Sequence, residues 1–312
     1  MSTRLNILAA ALVASLPGLV AAQSAVTVFG KIDSGFGKNI GSDLRAMQQG
    51  AASRVGFRGT EDLGDGLKVF FALEHRFNSD TGAQTIPSRF WHGEAILGIE
   101  GRWGRLVLGR EYTPAYIQTQ LLPDPFIHTT TASLLNVSTG GIGTVRNDQS
   151  ITYQADLGSF RVAAQVAEAV STTSNFADRP EGLSVTYSKG PLVLSYGYEN
   201  PGGANDVWHF AAGNYTVGPA VLMLGYGQGK TDTSSKRRAV IVGAKVSIGV
   251  GKLKLAYGDL RNTSTDVALI RKPAIGYDHY LSKRTFVYVN VSRDQVVANS
   301  KRGYDLGIQH NF

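Results

Sequence analysis

Arg54, Arg58, Glu74, Arg76 and Arg146 are charged residues set in short stretches where apolar and polar residues alternate. Side chains in an extended strand point alternately to opposite faces. Parity therefore puts these five, with Thr152, on the polar faces of their segments. Fixed arginines and carboxylates in such an array break no bonds. They hold an electric field, and rings of fixed charge set the ion selectivity of pores. One unit charge ~8 Å from an anion in water contributes ~0.5 kcal/mol, so three give about tenfold in local concentration. Salt weakens this, since the Debye length is ~8 Å at physiological ionic strength.

Other chemistries find little support. The chain has no Cys, which removes thiol catalysis and Cys-ligated zinc. Its six His show neither metal spacing nor an HExxH pair, and no Gly-x-Ser-x-Gly elbow occurs. Gly229-Lys230-Thr231 ends like a phosphate-binding loop, but Leu224 stands where that loop needs Gly. Gly35-Phe36-Gly37 lacks the third Gly of a dinucleotide fingerprint. No enzyme activity, cofactor or metal is expected. The net charge of +7 is spread along the chain, with no basic arm for nucleic acid.

The elements that hold the charges are strands. Leu67, Val69, Phe71, Leu73, His75 and Phe77 share one face, and Lys68, Phe70, Ala72, Glu74 and Arg76 the other. Similar alternation runs through Leu183–Ser188, Leu192–Tyr198, Lys252–Tyr257 and Tyr304–Phe312. Connections alternate as well. Short ones lie at 62–66, 101–104, 156–159, 189–191, 217–219, 249–251 and 282–283. Longer, polar ones lie near 39–46, 78–88, 111–148, 168–181, 199–206, 227–237, 259–267 and 293–301. Seven short turns, each joining two strands, with one strand left at either end, predict 16 strands. Tyr153, Tyr187, Tyr198, Tyr215, Tyr226, Tyr257, Tyr280 and Phe312 end apolar faces, where a membrane barrel places its aromatic girdles. A soluble sandwich explains the alternation but not the girdles. A closed all-β transmembrane barrel, apolar outside and polar inside, explains both. On the lipid face a mid-membrane Arg or Lys would cost ~2–4 kcal/mol, which gives the parity argument its force.

Residues 1–22 read as a cleaved signal peptide. Arg4 precedes an apolar run to Val20, and Ala21-Ala22 provide a small-residue cleavage site. Residues 23–312 are then the barrel, in the bacterial outer membrane.

The chain also resembles the general porins of β-proteobacterial outer membranes. Val26-Thr27-Val28-Phe29-Gly30 is similar to their first strand, and Ser53–Gly64 to the second strand and first turn. Trp103-Gly104 with Leu108-Gly109-Arg110 resembles the approach to the third loop. Tyr280–Thr285 resembles the last short turn, and Gly307–Phe312 the terminal strand. The resemblance implies a homotrimer of 16-stranded barrels among outer-membrane lipids, each with an inward-folded third loop, passing small hydrophilic solutes with a modest anion preference. It implies wall arginines on strands two, four and six. Arg54 matches the second-strand position, Arg146 the sixth, and Glu74 an acid on strand three. The strand-four position is Gly93, with Arg89 four residues earlier on the same face. The long segment 111–148 is the third loop. Glu111, Asp124 and Asp148 are expected on it, Asp124 across from the arginine wall, with Ser138–Gly143 as a flexible tip. Lys252 and Lys254 are expected at the periplasmic rim. Rival readings are a substrate-specific channel for small anions such as organic acids or phosphate, a barrel enzyme, and an adhesin.

Overall fold

The computed structural model describes residues 25–168, 179–203 and 205–312. The expected signal peptide, residues 1–22, lies outside them. Seventeen antiparallel strands are joined edge to edge. They are β1 (Ala25–Lys38), β2 (Arg45–Gln48), β3 (Ser53–Gly64), β4 (Leu67–Phe77), β5 (Glu94–Gly101) and β6 (Gly104–Tyr112). After the long third loop come β7 (Arg146–Leu157), β8 (Phe160–Ala167), β9 (Glu181–Lys189), β10 (Leu192–Asn200), β11 (Val207–Val217) and β12 (Ala220–Lys230). The last are β13 (Lys236–Ile248), β14 (Gly251–Asn262), β15 (Val267–Tyr280), β16 (Thr285–Arg293) and β17 (Arg302–Asn311). Short β2 and longer β3 both pair with β1, at its two ends, and form one interrupted wall strand. The wall is thus a closed barrel of 16 strands. β1 also pairs with β17, from Lys31 opposite Asn311 to Lys38 opposite Tyr304. Gly30 and Phe312 exchange two backbone hydrogen bonds at the seam. Closure leaves no unpaired sheet edge, as lipid demands.

All seven short turns stand where the sequence placed them, six of them marked by Gly or Pro and the last, at 282–283, by Ser-Lys. Gly190 and Gly218 have φ of 58° and 53°, the left-handed region that Gly enters at no steric cost. Two of the longer connections shrink, however. The stretches 227–237 and 259–267 are mostly strand, because β12 to β15 run outward and leave only 231–235 and 263–266 as loops. Polar residues near the outer end continue the pairing instead of ending it.

Leu222, Leu224 and Tyr226 lie exposed on the outside of β12, while Met223 between them is buried. One girdle assignment is corrected. Tyr280 shares the inward face with Asp278 and lines a cavity beside Lys252, whose ammonium lies 5.3 Å from the ring centroid. It sits at a strand end, but its parity is that of the lumen.

The packed core lies between the wall and the third loop, residues 113–145. The loop holds a π-helical turn, Tyr116–Gln120, and one short helix, α1 (Leu135–Ser138). It folds into the lumen and packs Leu134 and Val137 with Trp208, Phe210, Ile241 and Leu260. Phe126 and Ala132 pack against Ala274. Inward-facing glycines make room for it. A Cβ on Gly225 or Gly243 would run into Pro123 or Pro125, one on Gly258 into Leu134, and one on Gly276 into Phe126. The stretch expected as a flexible tip is instead packed. Trp208 Nε1 donates to the Ser138 carbonyl at 2.8 Å, and Arg237 Nη1 to the carbonyl of Gly140 at 2.7 Å.

Candidate pore constriction

Strand pairing sets up an electrostatic conflict. Lys31 on β1 stands opposite Arg54 on β3, and Arg54 stands opposite Arg76 on β4. Like charges directly across a sheet repel. Glu74, one step along β4 on the same face as Arg76, answers them. Its Oε1 accepts from Arg76 Nε at 2.7 Å, and its Oε2 lies 3.4 Å from Arg54 Nη1. Arg76 Nη2 also donates to the hydroxyl of Tyr112 at 2.8 Å. Arg146, directly across from Tyr112, lays its guanidinium over that ring at 3.7 Å. Tyr116, on the inward loop, stacks on the other member of the pair, with Tyr112 at 5.5 Å. The loop therefore meets the arginine wall through aromatic rings.

A second carboxylate gathers the upper arginines. Asp148 accepts from Arg89 Nη2 at 2.6 Å and from Arg110 Nη1 at 2.7 Å. Glu94 stands opposite Glu74 across the sheet, so Lys31, Arg54, Arg76, Arg89, Arg110 and Arg146 face Asp33, Glu74, Glu94 and Asp148, six cations to four acids. Nε and Nη2 of Arg146 are buried and have no hydrogen-bond partner among the described residues. Beside the cluster, and sharing Lys31 with it, lies a cavity of about 220 Å³ under Phe126, lined also by Lys245, Lys252, Lys254 and Asp278. Lys254 pairs with Asp278 at 2.5 Å. Lys245 makes no ion pair among the described residues.

Arg54, Glu74, Arg76 and Arg146 come together in one cluster. Arg89 reaches its upper edge, but from the loop before β5 and not from a strand face, as its spacing from Gly93 had suggested. Gly93 is small for a reason, because a Cβ there would collide with the Glu74 carboxylate. Arg58 lies apart, four residues along β3, over the ring of Phe29 at 5.2 Å in a cavity of about 700 Å³ toward the short turns. Glu111 belongs to the end of β6 rather than the loop, and one of its oxygens is buried without a partner.

Asp124 does not face the arginines. It is fully buried, and its two oxygens accept the backbone N–H groups of Phe126, His128 and Leu134. A short loop returning on itself leaves its own amides without partners, and Asp124 supplies the acceptors. Lys254 is likewise not at the rim; it is buried beneath the loop, 5.1 Å from the Phe126 ring.

Arg110, Tyr112 and Lys31 escaped the sequence reading, and Asp148, expected on the long loop, belongs to the start of β7. Parity on β1 was enough to find Lys31, since it shares a face with Thr27 and Phe29, opposite Val26 and Val28. Arg110 is hidden by a register shift between Gly109 and Glu111, which breaks the alternation that parity relies on.

Comparison with known proteins agrees with this architecture. The chain is 31% identical over 236 residues to an outer membrane porin of Bordetella pertussis, covering 64% of this chain and 60% of that one. It therefore spans somewhat less than two thirds of that relative. It is 30% identical over 319 residues to outer membrane porin protein 32 of Delftia acidovorans, covering 94% of this chain and 89% of the relative. The solved anion-selective porin of Comamonas acidovorans superposes with a TM-score of 0.79 at 26% identity, over 93% of this chain and all of that one. An outer membrane protein of Vibrio cholerae superposes with a TM-score of 0.75 at 16% identity, a likeness of fold alone. The family described as Gram-negative porin matches residues 9–299. With the closed barrel, the inward loop and the charged lumen, that match means that the chain belongs to the Gram-negative porin family of the outer membrane.

Proposed function

We propose that the protein is a general diffusion pore for small hydrophilic solutes, working as a homotrimer, in which the wall of Arg54, Arg76, Arg110 and Arg146 gives anions the advantage. The observation that carries this reading is the excess of cations, Lys31, Arg54, Arg76, Arg89, Arg110 and Arg146, over the acids Asp33, Glu74, Glu94 and Asp148 at the level where the third loop fills the lumen. Arg146 holds its guanidinium over Tyr112 at that level. The anion-selective porin of Comamonas acidovorans, similar along nearly the whole chain, supports the same direction. The pore acts by lowering the electrostatic energy of a partly dehydrated anion and by binding no solute tightly. Glu74 and Asp148 keep the cations from holding an anion too long, which conduction requires.

The test is single-channel recording in a planar bilayer under a KCl gradient. Current steps in groups of three with a reversal potential favouring chloride are expected. Arg54→Ala with Arg146→Ala should move the reversal potential toward neutrality, by about fivefold in the permeability ratio for two lost charges. An unchanged reversal potential in the double variant removes these arginines from the selectivity. A substrate-specific channel is the second reading, favoured by the lysine-lined cavity beneath Phe126. It requires that one class of anion block chloride current at concentrations where others do not.

A further inference from the structure

Two phenylalanines face the lumen toward its short-turn end, and each is seated in the same way. Phe29 on β1 stands directly opposite Gly56 on β3, and Phe70 on β4 directly opposite Gly98 on β5. A Cβ on either glycine would run into the ring across from it. The rings therefore lie down on the wall, in the space that the glycines leave. Each also carries a guanidinium. Arg58, two residues beyond Gly56 on β3, has its guanidinium 5.2 Å from the Phe29 centroid. Arg105 on β6 has its guanidinium 4.1 Å from the Phe70 centroid.

Both pairs line the cavity of about 700 Å³. Its floor is apolar, since Ala72 stands opposite Arg58 and Ile96 opposite Ala72. Neighbouring strands are ~4.8 Å apart, so the row from Arg58 to Ile96 spans roughly 10 Å. The charges of this cavity balance, unlike those of the constriction. Arg58, Lys68 and Arg105 share it with Asp62, Glu94 and Glu100. Lys68 stands between Asp62 and Glu100, and Glu94 opposite Glu74. Arg105 stands opposite Glu100, yet neither Arg58 nor Arg105 makes an ion pair among the described residues. With no excess of cations, the cavity does not concentrate anions at large. It offers two planar donors, each held against a ring, on either side of an apolar floor.

We propose that this cavity binds small aromatic monocarboxylates on their way through the pore, and so rests on the pore reading above. A guanidinium that lies over a ring spends its face, and its N–H groups stay in its own plane. That plane suits the two oxygens of a carboxylate, which a guanidinium grips as a fork. The carboxylate meets Arg58, and the ligand ring extends over Ala72 and Ile96 toward Phe70. A benzoate is flat from carboxylate to ring, so it meets the fork and the floor together. A saturated ring of the same charge is thicker and has no π face. The cavity exceeds the ligand in size, so binding is weak and release fast, as passage requires.

The experiment measures chloride current through single channels in KCl, with benzoate or cyclohexanecarboxylate added to both sides. Benzoate should block at a concentration lower by about threefold, the worth of one guanidinium–ring contact at a wet site. Arg58→Lys with Arg105→Lys keeps both charges and loses both forks. The double variant should keep its reversal potential and lose the discrimination. Equal block by the two acids, or discrimination undiminished in the variant, overturns the proposal while leaving the pore intact. Should the variant fail to insert, or should no current be seen at all, which removes the pore reading instead, the wild-type protein in detergent still carries the test. The fluorine resonance of 4-fluorobenzoate should broaden in its presence. Benzoate should relieve that broadening at about one third of the concentration that cyclohexanecarboxylate needs. No broadening, or equal relief, overturns the site.

Discussion

The Arg146 guanidinium lies 3.7 Å over the ring of Tyr112, and the hydroxyl of that same tyrosine accepts from Arg76 at 2.8 Å. One aromatic residue thus orients two cations of the constriction. A guanidinium over an aromatic face gains ~0.5–2 kcal/mol, depending on how dry the site is. Tyr112→Ala removes both contacts and frees Arg146 to swing away from the narrow zone. The expected result is a larger conductance and a chloride preference lower by about twofold, the effect of one displaced charge. Tyr112→Phe keeps the stack and should retain most of the selectivity. Equal losses in both variants would show that the hydroxyl, not the ring, holds the cluster.

Glu74 is the internal brake on the same field. It pairs with Arg54 and Arg76, and the absence of a side chain at Gly93 is what lets its carboxylate sit there. Glu74→Gln leaves the cations unanswered. Chloride preference should rise by about twofold, with some loss of thermal stability from like-charge repulsion. Gly93→Val should act in the same direction by pushing the carboxylate aside. Reversal potentials for the two variants check this, and a shift toward potassium in either contradicts it.

The barrel was legible in the sequence because its constraint is local and repeated. Each strand must alternate, and six of the seven short turns carry Gly or Pro, so β4 or β12 can be read without knowing its neighbours. The wall charges Arg54, Glu74, Arg76 and Arg146 came from the same parity. Charges held by irregular backbone were harder to read. Arg110 lies at a bulge and escaped, and Arg89 was named from its spacing to Gly93 although it hangs from a loop. Asp124 was misread because the loop's own amides compete for it, a demand that arises only once the loop is folded. The glycine seat for that loop is spread over β12, β13, β14 and β15, so no single segment announces it.

Glu199 ties both ends of the third loop to β10. It is fully buried, and it accepts from the Thr144 N–H at 2.6 Å, the Thr144 hydroxyl at 2.7 Å and Gln120 Nε2 at 3.2 Å. A hydrogen bond within a protein contributes ~0.5–1.5 kcal/mol, and a stranded backbone N–H adds its own penalty. Glu199→Leu should therefore loosen the loop, seen as greater open-channel current noise and a lower melting temperature. Glu199→Gln, which keeps one acceptor, should be milder on both. A quiet channel in the leucine variant would mean that the glycine seat alone holds the loop.

His92, in the loop between β4 and β5, gives the pore its pH signature. Burial lowers its pKa to about 4, and the charges of Arg76, Arg110, Arg146 and Arg89 add to the effect. In the unfolded chain it titrates near 6.5. As pH falls below 6.5 the unfolded chain takes up this proton first, so the stability linked to neutral His92 declines down to pH 4. In the folded pore the imidazole stays neutral from pH 8 to pH 5 and charges only near pH 4. Once charged, it adds one cation beside the arginines. The difference in reversal potential between the wild-type protein and His92→Asn should be flat from pH 8 to 5 and should grow toward chloride near pH 4. A difference that appears between pH 7 and 6 would place His92 in water rather than among the arginines.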